Sequence, residues 1–292
     1  VDPSTGPVLA LDVGGTKIDA AVVDGEGVVH SRRRIVTEAP DGEELFAAVA
    51  ALLAGCRDEA SGPDGPGAPF AIGVGCGGPM TSEGVSPLNI AQWRAFPLAA
   101  RLSEAFGLPV HLDNDAKALA LGEGRWGAAR GVANFMAMVV STGVGGGIVL
   151  DGRLLDGATA NAGHVGHVIV DPLGRLCPCG SRGCLEAQVS GTALAALTGS
   201  PAAEAPEELR RRCGRLVGRA VASVCNLLDL ELVVVAGSVA LGFGEAFFGE
   251  AQLELDRLAR LEFSRSAVVR PAGCGSEGPL LGAAEVARYA AR

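Results

Sequence analysis

The sequence predicts an α/β protein built by duplication, with two similar halves on either side of a cleft. Three observations carry this. A unit made of an apolar strand, a glycine turn, a second apolar strand and an Asp-Gly turn occurs twice, over residues 8–25 and again over 134–152. Stretches with helical spacing alternate with short apolar runs over the rest of the chain. With 292 residues, 48% of them apolar, the chain can bury the cores of two medium domains.

The first half begins with a strand at 8–12 that ends on the carboxylate of Asp12. Val13, Gly14, Gly15, Thr16 and Lys17 form a tight turn, and a second strand follows at 18–23. Asp24-Gly25 is a strong hairpin signal before a third strand at 28–34. The glycines let backbone amides approach a phosphate, to which the Thr16 hydroxyl and Lys17 ammonium add bonds. An ordinary glycine-rich hairpin has the same composition. A helix is expected over 41–56, with an acidic first turn and Gly55 as its stop. After a Gly/Pro loop at 61–69, residues 70–74 form a buried strand. The irregular segment that follows is too long for a plain connection, and such loops are often functional. Asn89 and Trp93 are its notable side chains; core filling is the commoner fate of such a Trp.

A helix over 97–106 and a short strand over 110–112 lead to Asp113, Asn114, Asp115, Ala116 and Lys117, which open a helix over 116–124. Ligands of α/β proteins gather at strand ends. Asp115 is therefore placed to take a proton from a hydroxyl, and Asn114 to orient it. Helix N-capping by Asp or Asn accounts for the same residues equally well.

The second half repeats the layout. A strand at 134–140 meets the turn from Ser141 through Thr142 and Gly143 to Gly147; a strand at 148–150 then closes on Asp151-Gly152. Between 161 and 186 lie His167, Cys177, Cys179 and Cys184, the ligand count of a closed tetrahedral zinc site. Gly174, Gly180, Gly183, Pro172 and Pro178 bend the chain around it. Four protein ligands leave no open position, so the zinc is expected to be structural. It would hold the flanking His164 and Glu186 against a substrate. A helix at 188–197, a linker at 198–206 and a helix at 207–228 follow. The apolar run 232–235 is a buried parallel strand. Ala236, Gly237 and Ser238 turn from it beneath a nucleotide base or ribose. A helix at 245–261, a strand at 268–269 and a helix at 282–291 complete the chain.

A net charge of −9 argues against a nucleic-acid surface, although backbone amides still bind phosphate without a basic patch. The first residues lack the basic start and apolar core of a signal peptide, and no apolar run approaches membrane-spanning length. Cys56, Cys76, Cys213, Cys225 and Cys274 read as buried free thiols, which with the thiolate site fits the cytoplasm.

Three separated motifs, DVGGTK, DNDAKALALGE and the HxGH…CPCGSRGCLEA segment, together resemble the ROK family of sugar kinases and sugar-responsive repressors. The resemblance spans essentially the whole chain. It implies the actin-like ATPase (ribonuclease H-like) fold, two α/β domains around a cleft. The expected division is 1–113 with the terminal helix 280–292, and 114–279. Because the kinase motif starts almost at once, a repressor's DNA-binding domain is not expected. The resemblance assigns Asp12, Gly14, Gly15, Thr16 and Lys17 to the first phosphate loop. It assigns Thr142 and Gly143 to the second and Gly237 to the adenosine side. Asn114 matches a sugar-binding Asn, Asp115 the catalytic base, and His167, Cys177, Cys179 and Cys184 the zinc ligands. Glu186 matches a sugar-binding Glu, and His167 touches sugar as well as metal. The activity implied is transfer from ATP, with Mg²⁺, to the 6-hydroxyl of a glucose-type hexose, in a homodimer or tetramer. A sugar sensor without catalysis is the alternative.

One position departs. Family kinases usually carry Glu where this chain has His164. A carboxylate only accepts hydrogen bonds, whereas an imidazole donates or accepts. The change favours a glucose bearing an amino or acylamino group, such as kanosamine or N-acetylglucosamine, beside glucose itself.

Overall fold

The computed structural model describes residues 5–63, 65–81, 84–87 and 89–292. It consists of two compact units, Val1–Gly122 with Ser276–Arg292, and Glu123–Gly275. The chain passes from the first unit to the second inside a helix, between Gly122 and Glu123.

The first unit opens with β1 (Val8–Val13), β2 (Lys17–Val23) and β3 (Val29–Val36). The turn between β2 and β3 differs in detail from expectation. Asp24 Oδ1 accepts the N–H groups of Glu26 and Val28, and Gly27 rather than Gly25 takes the left-handed conformation. Helix α1 (Gly42–Ala60) is N-capped by Asp41, which accepts from Glu43 and Glu44. Gly55 does not end it. A side chain there would meet the Arg33 guanidinium, and the helix stops at Ser61, whose N–H and hydroxyl both bond Arg57 O. Next come β4 (Ala71–Cys76), the two-residue strands β5 (Met80–Thr81) and β6 (Gly84–Val85), α2 (Leu98–Phe106), β7 (Val110–Asn114) and α3 (Asp115–Arg125).

The main sheet has the order β3-β2-β1-β4-β7. β1 pairs antiparallel with β2 and parallel with β4. Both faces are covered, one by α1 and one by the C-terminal helix, which explains why β1 and β4 are apolar almost throughout. Trp93 is fully buried, stacks on Phe96 at 4.8 Å and donates to Gly42 O, so it fills the core.

The second unit repeats this order. It contains β8 (Phe135–Val140), β9 (Val144–Leu150), β10 (Arg153–Leu154), α4 (Leu185–Val189), α5 (Gly191–Thr198), α6 (Glu207–Leu228), β11 (Leu232–Ala236), α7 (Ser238–Phe243), α8 (Glu245–Leu258) and β12 (Val268–Pro271). The order is β10-β9-β8-β11-β12, with β8 antiparallel to β9 and parallel to β11. The duplication is therefore real at the level of topology. Asp151 and Gly152 both have positive φ, the two-residue hairpin turn that the Asp-Gly pair predicts. The helix expected over 188–197 is two helices, because Ser190 caps α5 by accepting from Ala193. Its core gathers residues of β8, β9, β11, α6 and α8.

The chain ends with α9 (Gly278–Ala290), back in the first unit. Gly282 lies inside it and not at its start; a Cβ there would strike Ala118 O of α3. Among the described residues no helix is long and apolar enough to cross a membrane. Cys56, Cys76, Cys213 and Cys225 are buried free thiols, as expected, while Cys274 is only half-buried.

Candidate functional site

Each unit brings a set of expected residues to the ends of its central strands. In the first unit, the turn after β1 is closed by Gly14 N–H donating to Lys17 O at 3.1 Å. Thr37 steadies it from outside. Its hydroxyl donates to Gly14 O at 2.8 Å and its N–H to Thr16 O at 3.1 Å. Gly15, Thr16 and Lys17 are exposed. Gly15 lies against Asn89, whose Cβ occupies the space a side chain at Gly15 would need. The long loop thus carries Asn89 to the glycine turn. Thr37 itself had no sequence signal, since its partners are backbone atoms.

Asp12 and Asp115 come to either side of Gly75. A Cβ on that glycine would stand 3.9 Å from Asp12 Oδ1 and 3.8 Å from Asp115 Cα. Asn114 Oδ1 and Asp115 Oδ1 both accept from Ala116 N–H, at 3.0 and 2.8 Å. Capping and presentation are thus combined, because Asp115 starts α3 and remains exposed. Burial, and then the neighbouring carboxylates of Asp115 and Asp19, push the Asp12 carboxyl up to about 7 from 3.8.

This gives a stability prediction with a definite sign. A carboxyl whose folded pKa is raised favours folding below its unfolded pKa, and that contribution is lost as pH rises through the folded value. Asp12→Asn should therefore raise the thermal midpoint of the ligand-free protein at pH 8. The advantage should shrink by about 1.4 kcal/mol for each pH unit between 7 and 4. Melting curves over that range check it; a pH-independent difference would remove the explanation.

In the second unit, Ser141 N–H donates to Gly143 O at 2.9 Å to close the other glycine turn. The N-terminus of α5 braces it. Gly191 N–H donates to Ser141 O at 2.7 Å, and the Thr192 hydroxyl to Thr142 O at 3.0 Å. Gly237, at φ 101°, leaves β11 beside this turn; a Cβ there would collide with Val140 O, so glycine is required. The hydroxyls of Ser141 and Ser238 lie 3.0 Å apart. Thr142, Gly143 and Gly237 are therefore neighbours at the ends of adjacent parallel strands.

Glu186 Oε2 accepts Val144 N–H at 2.9 Å and lies against Gly143, which ties the cysteine segment to the turn. His167, Cys177, Cys179 and Cys184 bring one nitrogen and three sulfurs within 4.8 Å of one another. The sulfurs of Cys179 and Cys184 are 3.7 Å apart, and Cys177 Sγ is 3.8 Å from His167 Nδ1. A tetrahedron with metal–sulfur bonds of ~2.3 Å has edges of about that length, so the donors fit a metal ion. Burial pushes the Cys184 thiol up to about 12, and a bound cation would bring it down. His164 and His167 are both exposed, with ring centres 6.1 Å apart. Arg175 and Arg219 were not anticipated. Arg175 donates to the carbonyls of Gln188 and Ala193, and Arg219 to Val170 O, which fastens the segment to α4, α5 and α6.

A model of the ROK family matches residues 8–290. An N-acetylmannosamine kinase of Yersinia pseudotuberculosis is 36% identical over 258 residues, 82% of this chain and 85% of the relative. The ROK hexokinase of Thermus thermophilus superposes with a TM-score of 0.82 at 36% identity, covering 98% of this chain and 99% of that one. A ROK family glucokinase from Streptomyces griseus, solved with glucose and AMPPNP, gives 0.81 at 32% identity, covering 97% and 100%.

Proposed function

The chain belongs to the ROK family, and on that premise we propose that this ATP-dependent hexose kinase phosphorylates the 6-hydroxyl of an acylamino hexose, with Asp115 as general base. The observation that carries the base assignment is an exposed carboxylate at a strand-to-helix junction, beside Asp12 of the same unit. N-acetylmannosamine is the first candidate substrate. The similar Yersinia enzymes bear its name, and His164 stands where family kinases usually carry Glu. An imidazole N–H can donate to an amide carbonyl, which a carboxylate cannot do.

Phosphoryl transfer depends mostly on positioning and charge neutralisation. Asp115 accepts the proton of the sugar hydroxyl as its oxygen attacks the γ-phosphorus. Asn114, Asn89, His164, His167 and Glu186 hold the sugar. Amides of the turns at Gly14–Gly15 and Thr142–Gly143, with Thr16 and Lys17, hold the phosphates, and Asp12 stands beside them. Gly237 leaves room for the adenosine. Mg²⁺ arrives with ATP and offsets the charge of the triphosphate. His167, Cys177, Cys179 and Cys184 would hold a zinc ion; a closed four-ligand site would shape the loop and leave the chemistry to other residues.

The test is ADP release in a coupled assay with glucose, mannose, glucosamine, N-acetylglucosamine, N-acetylmannosamine and kanosamine. N-acetylmannosamine should give the highest kcat/KM. Sugar binding without ADP release would establish the sensor alternative instead. His164→Glu should shift the ratio of kcat/KM toward glucose by roughly 10–100-fold. Unchanged ratios across the panel would exclude His164 from substrate choice.

A further inference from the structure

The junction that presents Asp115 contains a charge that no step of this reaction uses. Lys117 lies two residues into α3, and its side chain is 2% exposed. The residues around it on the helix, Ala116, Ala118, Leu119 and Ala120, are buried and apolar. An ammonium in such surroundings is costly unless it is paired and hydrogen-bonded. Its Nζ stands 2.9 Å from Asp113 Oδ1. That same oxygen accepts the Asn114 N–H at 2.7 Å. A single carboxylate oxygen therefore joins the helix, through Lys117, to the backbone of the residue immediately before Asp115. Ala116 N–H, between them, is shared by the side chains of Asn114 and Asp115.

The sheet shows why a cation belongs at this place. Asp113 on β7 is in register with Gly75 on β4, Gly75 with Asp12 on β1, and Asp12 with Asp19 on β2. Residues directly opposite one another share a face of the sheet. Three carboxylates thus occupy one row; Asp12 and Asp19 are directly opposite, where like charges are unfavourable, and Asp113 lies one strand beyond Gly75. The row is closed by cations at both ends. Arg34, in register with Asp19, holds it through two bonds of 2.7 and 3.0 Å. Lys117 holds Asp113 at the other end.

We propose that Lys117 is a positioning residue for the reaction. Through Asp113 it fixes the backbone of Asn114 and Asp115, so that the carboxylate meets the sugar hydroxyl in one place. This rests on the assignment of Asp115 as base. A displacement of about 1 Å at a reacting group costs up to roughly 10²-fold in rate. Lys117→Met should therefore lower kcat by about 10–100-fold while KM for ATP stays within about twofold.

The experiment compares Lys117→Met, Asp113→Asn and the double variant in steady-state kinetics, at a temperature where circular dichroism shows each to be folded. Each single variant leaves one charge of the pair without the other and should lose kcat. All three variants break the same link, so the double variant should lose no more than about the larger of the two single losses. A role in stability alone would lower the melting temperature without this pattern in kcat. Normal kcat in a folded single variant, or a double variant whose loss is the product of the two single losses, overturns the proposal. Should Lys117→Met not fold, Asp113→Asn decides on the same criteria. Failure of the base assignment is read separately, as near-normal turnover of Asp115→Asn.

Discussion

Asp115→Asn is expected to lower kcat for sugar-dependent ADP release by roughly 10²–10⁴-fold. The geometry makes this a clean substitution. Asp115 Oδ1 accepts Ala116 N–H at 2.8 Å, and an amide oxygen can do the same, so the start of α3 is preserved. The exposed side chain has no buried packing to lose. What disappears is a proton acceptor and one negative charge beside Asp12. KM for ATP and for sugar should change little, because the interaction removed is one that strengthens only as the hydroxyl loses its proton. A second, independent readout follows from the charge. The Asp12 carboxyl is raised first by burial and next by Asp115. In the variant it should titrate lower, and the pH dependence of stability that it causes should move to lower pH. Near-normal turnover would remove Asp115 from the mechanism. A large loss of turnover with an unmoved stability profile would separate the catalytic role from the electrostatic one.

Much of this was legible in the residues, for identifiable reasons. A glycine turn between two apolar strands occurs twice, and the fold repeats the same strand order around each. The cysteine segment is local, so its spacing alone sets the donors, and they do converge. Elements failed where a residue served a distant partner. Gly55 and Gly282 look like helix ends in the sequence. One makes room for Arg33 of β3, the other for α3, and both lie inside helices. Asp19 interrupts an apolar strand, a visible anomaly. Its meaning depends on Arg34, which only the register of β2 with β3 places beside it. Glu123 is fully buried and accepts the N–H groups of Ala128, Gly273 and Cys274, two of them far along the chain. Periodicity reports a helix face; it does not report which backbone amides come to meet it.

Metal removal should have the other large effect, and it should fall on the sugar. Cys184 is fully buried, pairs with Ile169 in an isolated bridge, and immediately precedes α4. Glu186 sits on the first turn of that helix and reaches Val144 N–H at 2.9 Å. Ligand loss at Cys184 therefore releases the end of the chain that positions Glu186, and with it the segment bearing His164 and His167. Binding of a structural zinc is worth on the order of 10–16 kcal/mol in small domains, so the native protein should keep about one zinc per chain through purification. Chelation under mild denaturant, or Cys184→Ser, should remove it. Calorimetric titration with sugar should then show affinity weakened by about tenfold or more, since binding must reorder the loop. Zinc should restore affinity to the chelated protein. Mg²⁺ should not, because a set of three thiolates and an imidazole selects a softer ion. Metal-free protein that binds sugar with full affinity would mean that the loop is held by Arg175, Arg219 and its own backbone bonds, without help from the ion.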